Sequence, residues 1–275
     1  MPKIYLLGQL RVEADDGGGP GTAPGRALQL LACLALRPGT EVPRQHLAEL
    51  LWPDSAEPQA LTNLRRELHT LRGLLGGGTA EDGWTGLHGN AGLHGGRATL
   101  CWTEAPGQSV DVALFRTEHD AAFREPAAAP EAFLAHADAA LEAYQGDLLP
   151  GDATDWVERE REMLRSECVQ LCDRSVAACR SASRPARAAE LARRRIRLEP
   201  FEESGYRALM VLQAEAGDRG AALATFHRCA RTLRHGLGVG PDPATLALRE
   251  SIALHGAGED PARGGHPNAG RTVPP

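Results

Sequence analysis

Between Gln59 and Arg72 lie seven side chains of the kinds that read or grip a nucleic acid. At about 100° per residue, Gln59, Thr62, Arg66, His69 and Gly73 fall on one side of a helix. Arg65 and Arg72 sit on one flank of that side, and Asn63 on the other. Leu64 lies opposite, with Leu68, Leu71 and Leu75 each within roughly 40° of it, and the four form an apolar stripe. Arginine bonds guanine O6 and N7 in a bidentate way, and Gln or Asn pairs with adenine. Arginines on the flanks suit phosphates, which carry affinity but not sequence. The plainer alternative is an amphipathic surface helix whose polar side meets only water.

The segments around this helix must position it. The stretch from Pro43 to Gly76 reads as a short helix, a turn marked by Trp52-Pro53, and a longer helix. The short helix covers Val42 to Leu51, with Leu47, Leu50 and Leu51 inward. Asp54 or Ser55 is expected to cap the long one, and Glu57 lies in its first turn, where its charge is favourable. Upstream, Ile4–Leu7 and Leu10–Glu13 alternate like a small β-hairpin, and a flexible loop spans Asp15 to Gly25. Ala27 to Leu36 is almost wholly apolar, so it must be buried on most sides, and it stops at Pro38-Gly39. Downstream, a Gly-rich stretch holds two expected strands, around Trp84–Leu87 and Ala98–Trp102, where a winged helix carries its wing. Arg97 is the basic residue there, with His88 and His94 nearby.

A linker is expected at residues 105–109, and the chain turns helical from Val110. Helical segments run near 112–123, 131–144, 155–180, 186–198, 202–216, 219–237 and 243–254. Ala188-Ala189-Glu190-Leu191 aligns with Ala221-Ala222-Leu223-Ala224 at a spacing of 33, as in tetratricopeptide units, whose stacked helix pairs leave a concave groove. A plain helical bundle is the alternative. Residues 256–275 are rich in Gly, Pro and Ala and read as a disordered tail. The expected fold is mostly α: an N-terminal α+β winged helix-turn-helix domain over 1–104, then an all-α, tetratricopeptide-like domain over 105–255.

Composition narrows the function classes. The 275 residues carry a net charge of −6, and Lys3 is the sole lysine among 30 basic residues. Residues 1–104 alone sum to −2, so any grip on DNA depends on local charge, and Gln59–Gly76 carries Arg65, Arg66 and Arg72 against Glu67 alone. No apolar run reaches the roughly 20 residues of a membrane span. The N-terminus lacks the pattern of a secretory signal, so a cytoplasmic location without membrane partners is expected. The six cysteines hold no CxxC pair. Cys168, Cys172 and Cys179 line one helix face and read as small core residues with free thiols. His88, His94 and Cys101 have no ligand pair at a recognised spacing, so neither metal nor cofactor is expected. No phosphate-binding GxxxxGK[ST], GxSxG or HExxH occurs. Asp147, Asp152 and Asp155 flank a turn and a helix start, where acids serve as caps, and no catalytic residue is assigned.

The order of motifs resembles the antibiotic-regulatory, SARP-type bacterial activators. These join an OmpR/PhoB-type winged helix to a bacterial transcriptional activation domain. The matching stretches are IYLLGQLRV, RALQLLACLALRPG, VPRQHLAELLWPD and ALTNLRRELHTLRGLLG, then VDVALF (Val110–Phe115), YQGDLLPG (Tyr144–Gly151) and DWVEREREMLR (Asp155–Arg165). LARRRIRLEPFEESGYRALM and ALATFHRCARTLRHGLGVGPDPATLALRESI complete a likeness over about residues 1–254. It departs in a Gly-rich wing with one basic residue and in a mildly acidic N-terminal part.

The resemblance implies an activator of a secondary-metabolite gene cluster. It implies binding to direct repeats in double-stranded DNA, by a homodimer or by protomers side by side, and contact with RNA polymerase. The residues expected at DNA are Gln59, Thr62, Asn63, Arg65, Arg66, His69, Arg72 and Arg97. The competing expectation is a protein-interaction adaptor whose winged helix no longer binds DNA.

Overall fold

A computed structural model describes residues 3–13, 25–75, 92–103, 109–126 and 129–254. The chain divides into two compact units at Ser183-Arg184. In the first, β1 (Lys3–Tyr5) and β2 (Arg11–Glu13) form the expected antiparallel hairpin, with Ile4 opposite Val12. A third strand, β6 (Ser109–Val110), joins β1 in parallel, so Ser109 is sheet rather than the end of a linker.

The helix α1 (Gly25–Ala35) is buried at every residue from Ala27 to Ala35, Gln29 included, as its almost wholly apolar run requires. After β3 (Val42–Pro43) come α2 (Arg44–Leu51) and α3 (Glu57–Leu74), and α3 packs on both α1 and α2. Neither Asp54 nor Ser55 caps α3. The N-cap is Ala56, which makes no side-chain bond. Pro58 in the first turn has no N–H, so this helix start has one donor fewer to satisfy.

The hairpin of β4 (Leu93–Gly95) and β5 (Thr99–Trp102) continues the sheet in the order β3-β5-β4. Three helices followed by a hairpin that pairs back to the strand before α2 make a winged helix. The strand expected at Trp84–Leu87 lies outside the described residues. The observed partner of β5 is Leu93–Gly95, which reads as loop because of its glycine. A Cβ on Gly95 would stand 2.5 Å from the Thr99 carbonyl oxygen, so the tight turn at Gly96–Ala98 requires glycine there.

Helices α4 (Asp111–Arg124), α5 (Pro130–Ala143) and α6 (Asp155–Ser181) complete the first unit. Cys168, Cys172 and Cys179 are buried along one face of α6, and none of them is in a disulfide. The segment after α5 meets the segment after β1. Leu7 forms a bridge with Leu148, the Gly8 N–H donates to the Asp147 carbonyl at 2.9 Å, and the Leu149 N–H donates to the Leu6 carbonyl at 2.8 Å. Gly8 has φ +79°, and a Cβ there would lie 2.8 Å from the backbone of Gln145. Gly8→Ala is therefore expected to cost about 2–5 kcal/mol, from left-handed backbone strain plus overpacking. A lowered urea midpoint of the full chain checks this, and an unchanged midpoint refutes the close approach.

The second unit stacks α7 (Pro185–Leu198), α8 (Glu203–Glu215), α9 (Arg219–Leu237) and α10 (Pro243–Leu254). Successive helices pack on one another, and α10 returns to α8. Asp218 caps α9 by accepting the Ala221 N–H at 2.8 Å, and Gly238 ends it in the left-handed conformation. Ala188 in α7 and Ala222 in α9 are fully buried, which allows close helix approach. Asp242 caps α10 by accepting the Thr245 N–H at 2.7 Å, and its carboxylate pairs with Arg207 at 2.9 Å. Its own N–H donates to the Glu203 carboxylate at 2.9 Å. Among the described residues no helix is long and apolar enough to cross a membrane.

Candidate nucleic-acid interface

The two sides of α3 separate as its periodicity requires. Leu64, Leu68, Leu71 and Leu75 are each at most 3% exposed. Gln59, Thr62, Arg65, Arg66, His69 and Gly73 are exposed, while Asn63 and Arg72 are half-buried. The apolar stripe anchors the helix against α1 and α2, which holds the polar side outward in a fixed direction.

Within that face some groups are already committed. The Gln59 amide donates to the Asn63 amide oxygen at 3.1 Å, so two of the candidate base readers are oriented by each other. The Thr62 hydroxyl donates to the Pro58 carbonyl at 2.8 Å, which leaves its oxygen as an acceptor. Arg97 is exposed in the turn between β4 and β5.

A concavity of about 350 Å³ joins these elements, and Arg44, Arg65 and Arg97 all line it. Arg44 belongs with the site although sequence reasoning passed over it. It opens α2, and its backbone N–H donates to the Ala98 carbonyl at 2.9 Å, which ties that helix start to the wing. Burial lowers the guanidinium pKa of Arg44, and the charges of Arg72 and Arg65 lower it further. Four arginines from three elements thus share one field, with Glu57 as an acid on the lining. Like charges held this close relax when an anion arrives. The available signal was a basic residue at the first position of the shorter helix, directly after Pro43.

The other chemistry weighed from sequence resolves into structure. Asp152 accepts bonds from the Gln29 amide and from the Thr154 N–H and hydroxyl at 3.0 and 2.8 Å. Asp147 pairs with Arg165 at 3.0 Å, and Asp155 begins α6. His94 and Cys101 are cross-strand neighbours on β4 and β5, and His88 lies outside the described residues. Among the described residues, no group of three His, Cys, Asp or Glu is placed to hold a metal.

The solved structure of Mycobacterium tuberculosis EmbR in complex with a low affinity phosphopeptide is similar to this chain, with a TM-score of 0.65 and 22% identity. The likeness covers 92% of this chain and 65% of the EmbR chain. At that identity it carries the fold, a winged helix followed by a helical domain. No curated protein matches the chain in sequence. The model of the bacterial transcriptional activator domain matches residues 110–253, from β6 through nearly all of α10. That match spans more than half of the chain, and the chain belongs to the bacterial transcriptional activator domain family.

Proposed function

We propose that this chain activates transcription by placing α3 in the major groove of promoter DNA and presenting its helical part to RNA polymerase. The observation that carries the reading is the outward polar side of α3, flanked by Arg44 and Arg97 across one concavity. Arg66, at the centre of that side, is the candidate for a guanine contact, with Gln59 and Asn63 as candidates for adenine. Arg44, Arg65, Arg72 and Arg97 are assigned to phosphates, and Thr62 and His69 to the groove edge.

The net negative charge of the chain opposes tight binding by one protomer. Two protomers side by side on direct repeats, or a homodimer, supply the missing affinity through effective concentration. The helical part, read as a tetratricopeptide-like array, is assigned the polymerase contact. The controlled genes are assigned to a secondary-metabolite cluster and the working location to the cytoplasm, both from the resemblance to SARP-type activators.

Selection of the full chain on a random DNA pool tests the reading, and a repeated motif is the expected product. An adaptor that has lost DNA contact enriches no sequence. On the selected site, Arg66→Ala is expected to weaken binding by about 1–3 kcal/mol and to relax the preference at one base pair. Equal loss on all sequences would move Arg66 to the phosphate group, and no loss would remove α3 from the groove.

A further inference from the structure

A second cavity, of about 650 Å³, lies in the first unit between α1, α2 and the start of α6. Small-molecule sites are typically clefts of roughly 300–1,000 Å³ with apolar walls and a few polar groups. The walls fit that description. Cys33, Leu36, Val42, Leu47 and Trp156 are buried, and Leu50 is half-buried. Met163 stands at the mouth, 45% exposed.

The lining carries Arg37 and Arg159 against Glu160 and Glu162, and these charges are not equally engaged. Glu160 reaches the cavity, but its carboxylate is already shared with Arg116 at 3.4 Å and Arg37 at 4.0 Å. Arg37 is thereby engaged, whereas Arg159 makes no ion pair among the described residues and stands exposed beside Glu162 and His46. The Trp156 indole N–H is buried and has no hydrogen-bond partner among the described residues. A buried donor without a partner is costly, and a bound acceptor near it removes that cost after a small tilt of the ring.

We propose that this cavity is a binding site for a flat, mostly apolar small molecule that carries an anionic group. The apolar body lies against Leu47, Leu50 and Trp156, and the anion sits toward Arg159 and the Trp156 indole N–H. None of the α3 face residues lines the cavity, so DNA and ligand have separate sites. Leu47 and Leu50 belong to α2, which packs on α3, so an occupant touches the support of the outward helix face.

The test uses the full chain and two fluorescent probes, 8-anilinonaphthalene-1-sulfonate and its uncharged counterpart N-phenyl-1-naphthylamine. One saturable equivalent of the sulfonate per monomer is expected, with energy transfer from tryptophan. Leu50→Glu and Met163→Glu change the mouth rather than the core, and each is expected to weaken both probes at least tenfold with circular dichroism unchanged. Arg159→Glu is expected to weaken the sulfonate several-fold and to leave the neutral probe unaffected. Absence of saturable binding overturns the proposal, as does binding that the mouth variants do not alter. Saturation that tracks dimer formation in light scattering also overturns it, because the cavity would then be a surface between copies. No outcome depends on DNA, so the proposal stands or falls apart from the promoter reading.

Discussion

Asp111→Ala will cost the first unit about 3–5 kcal/mol, because it strips the acceptor from three buried backbone N–H groups. The Asp111 carboxylate accepts the Leu6 N–H on both oxygens at 2.9 Å, the Leu7 N–H at 2.9 Å and the Val112 N–H at 2.7 Å. Leu6, Leu7 and Val112 are fully buried, so water does not replace the lost acceptor. Against a typical domain stability of about 5–15 kcal/mol, the loss is large enough to populate the unfolded unit at moderate urea.

The same group makes stability depend on pH. Burial pushes the Asp111 carboxyl from 3.8 up to about 6, against the N–H donors, which pull it down. The folded state therefore holds a proton where the unfolded chain has released it. The stability from this group is complete below about pH 4 and is lost as pH rises through about 6, a change of about 3 kcal/mol. Asp111→Asn does not ionise, so its deficit relative to the parent should narrow between pH 4 and pH 7 in urea titrations. A deficit that stays constant or widens would mean that the N–H donors outweigh burial and keep the carboxylate charged.

Asp111 also marks the limit of what sequence reading reaches. The face of α3 was legible because helical periodicity is local: the four leucines that repeat along it are the four that are buried. The bounds of α9 were legible for the same reason, since Asp218 and Gly238 are end signals within a few residues of the backbone groups they satisfy. The pairing of β6 with β1 was not. Strands of two and three residues carry no period, and Asp111 lies 105 residues from its partner Leu6. The stretch IYLLGQLRV showed a hairpin by its alternation, while VDVALF and YQGDLLPG stood out by resemblance, and nothing local in any of them announced that they meet. In the fold they meet: Gly8 sits against Gly146, Leu7 pairs with Leu148, and Asp111 holds the N–H groups of Leu6 and Leu7. Arg44 was missed because its place beside Arg65 and Arg97 depends on the turn between α2 and α3 and on the wing, and neither turn is written in a helical period.

That three-element cluster has the largest expected effect on binding. Replacing Arg44, Arg65 and Arg97 together with alanine should reduce the slope of log affinity against log salt by about 3. Each phosphate contact contributes a slope of about −0.9, which at 0.1 M salt amounts to roughly an eightfold gain relative to 1 M. Removing three phosphate partners at 0.1 M salt then weakens binding on the order of 100- to 1,000-fold, on specific and random DNA alike. Arg65 and Arg97 are exposed, so their replacement leaves the core intact, whereas Arg44 is half-buried and its single variant needs a thermal melt beside the titration. Sequence preference should survive the triple substitution, because Gln59, Asn63 and Arg66 remain. The reverse pattern, an unchanged salt slope with altered preference, would assign these arginines to bases and leave the phosphates to other residues. A variant that binds like the parent at every salt concentration would mean that the concavity between α2, α3 and the wing does not face the double helix.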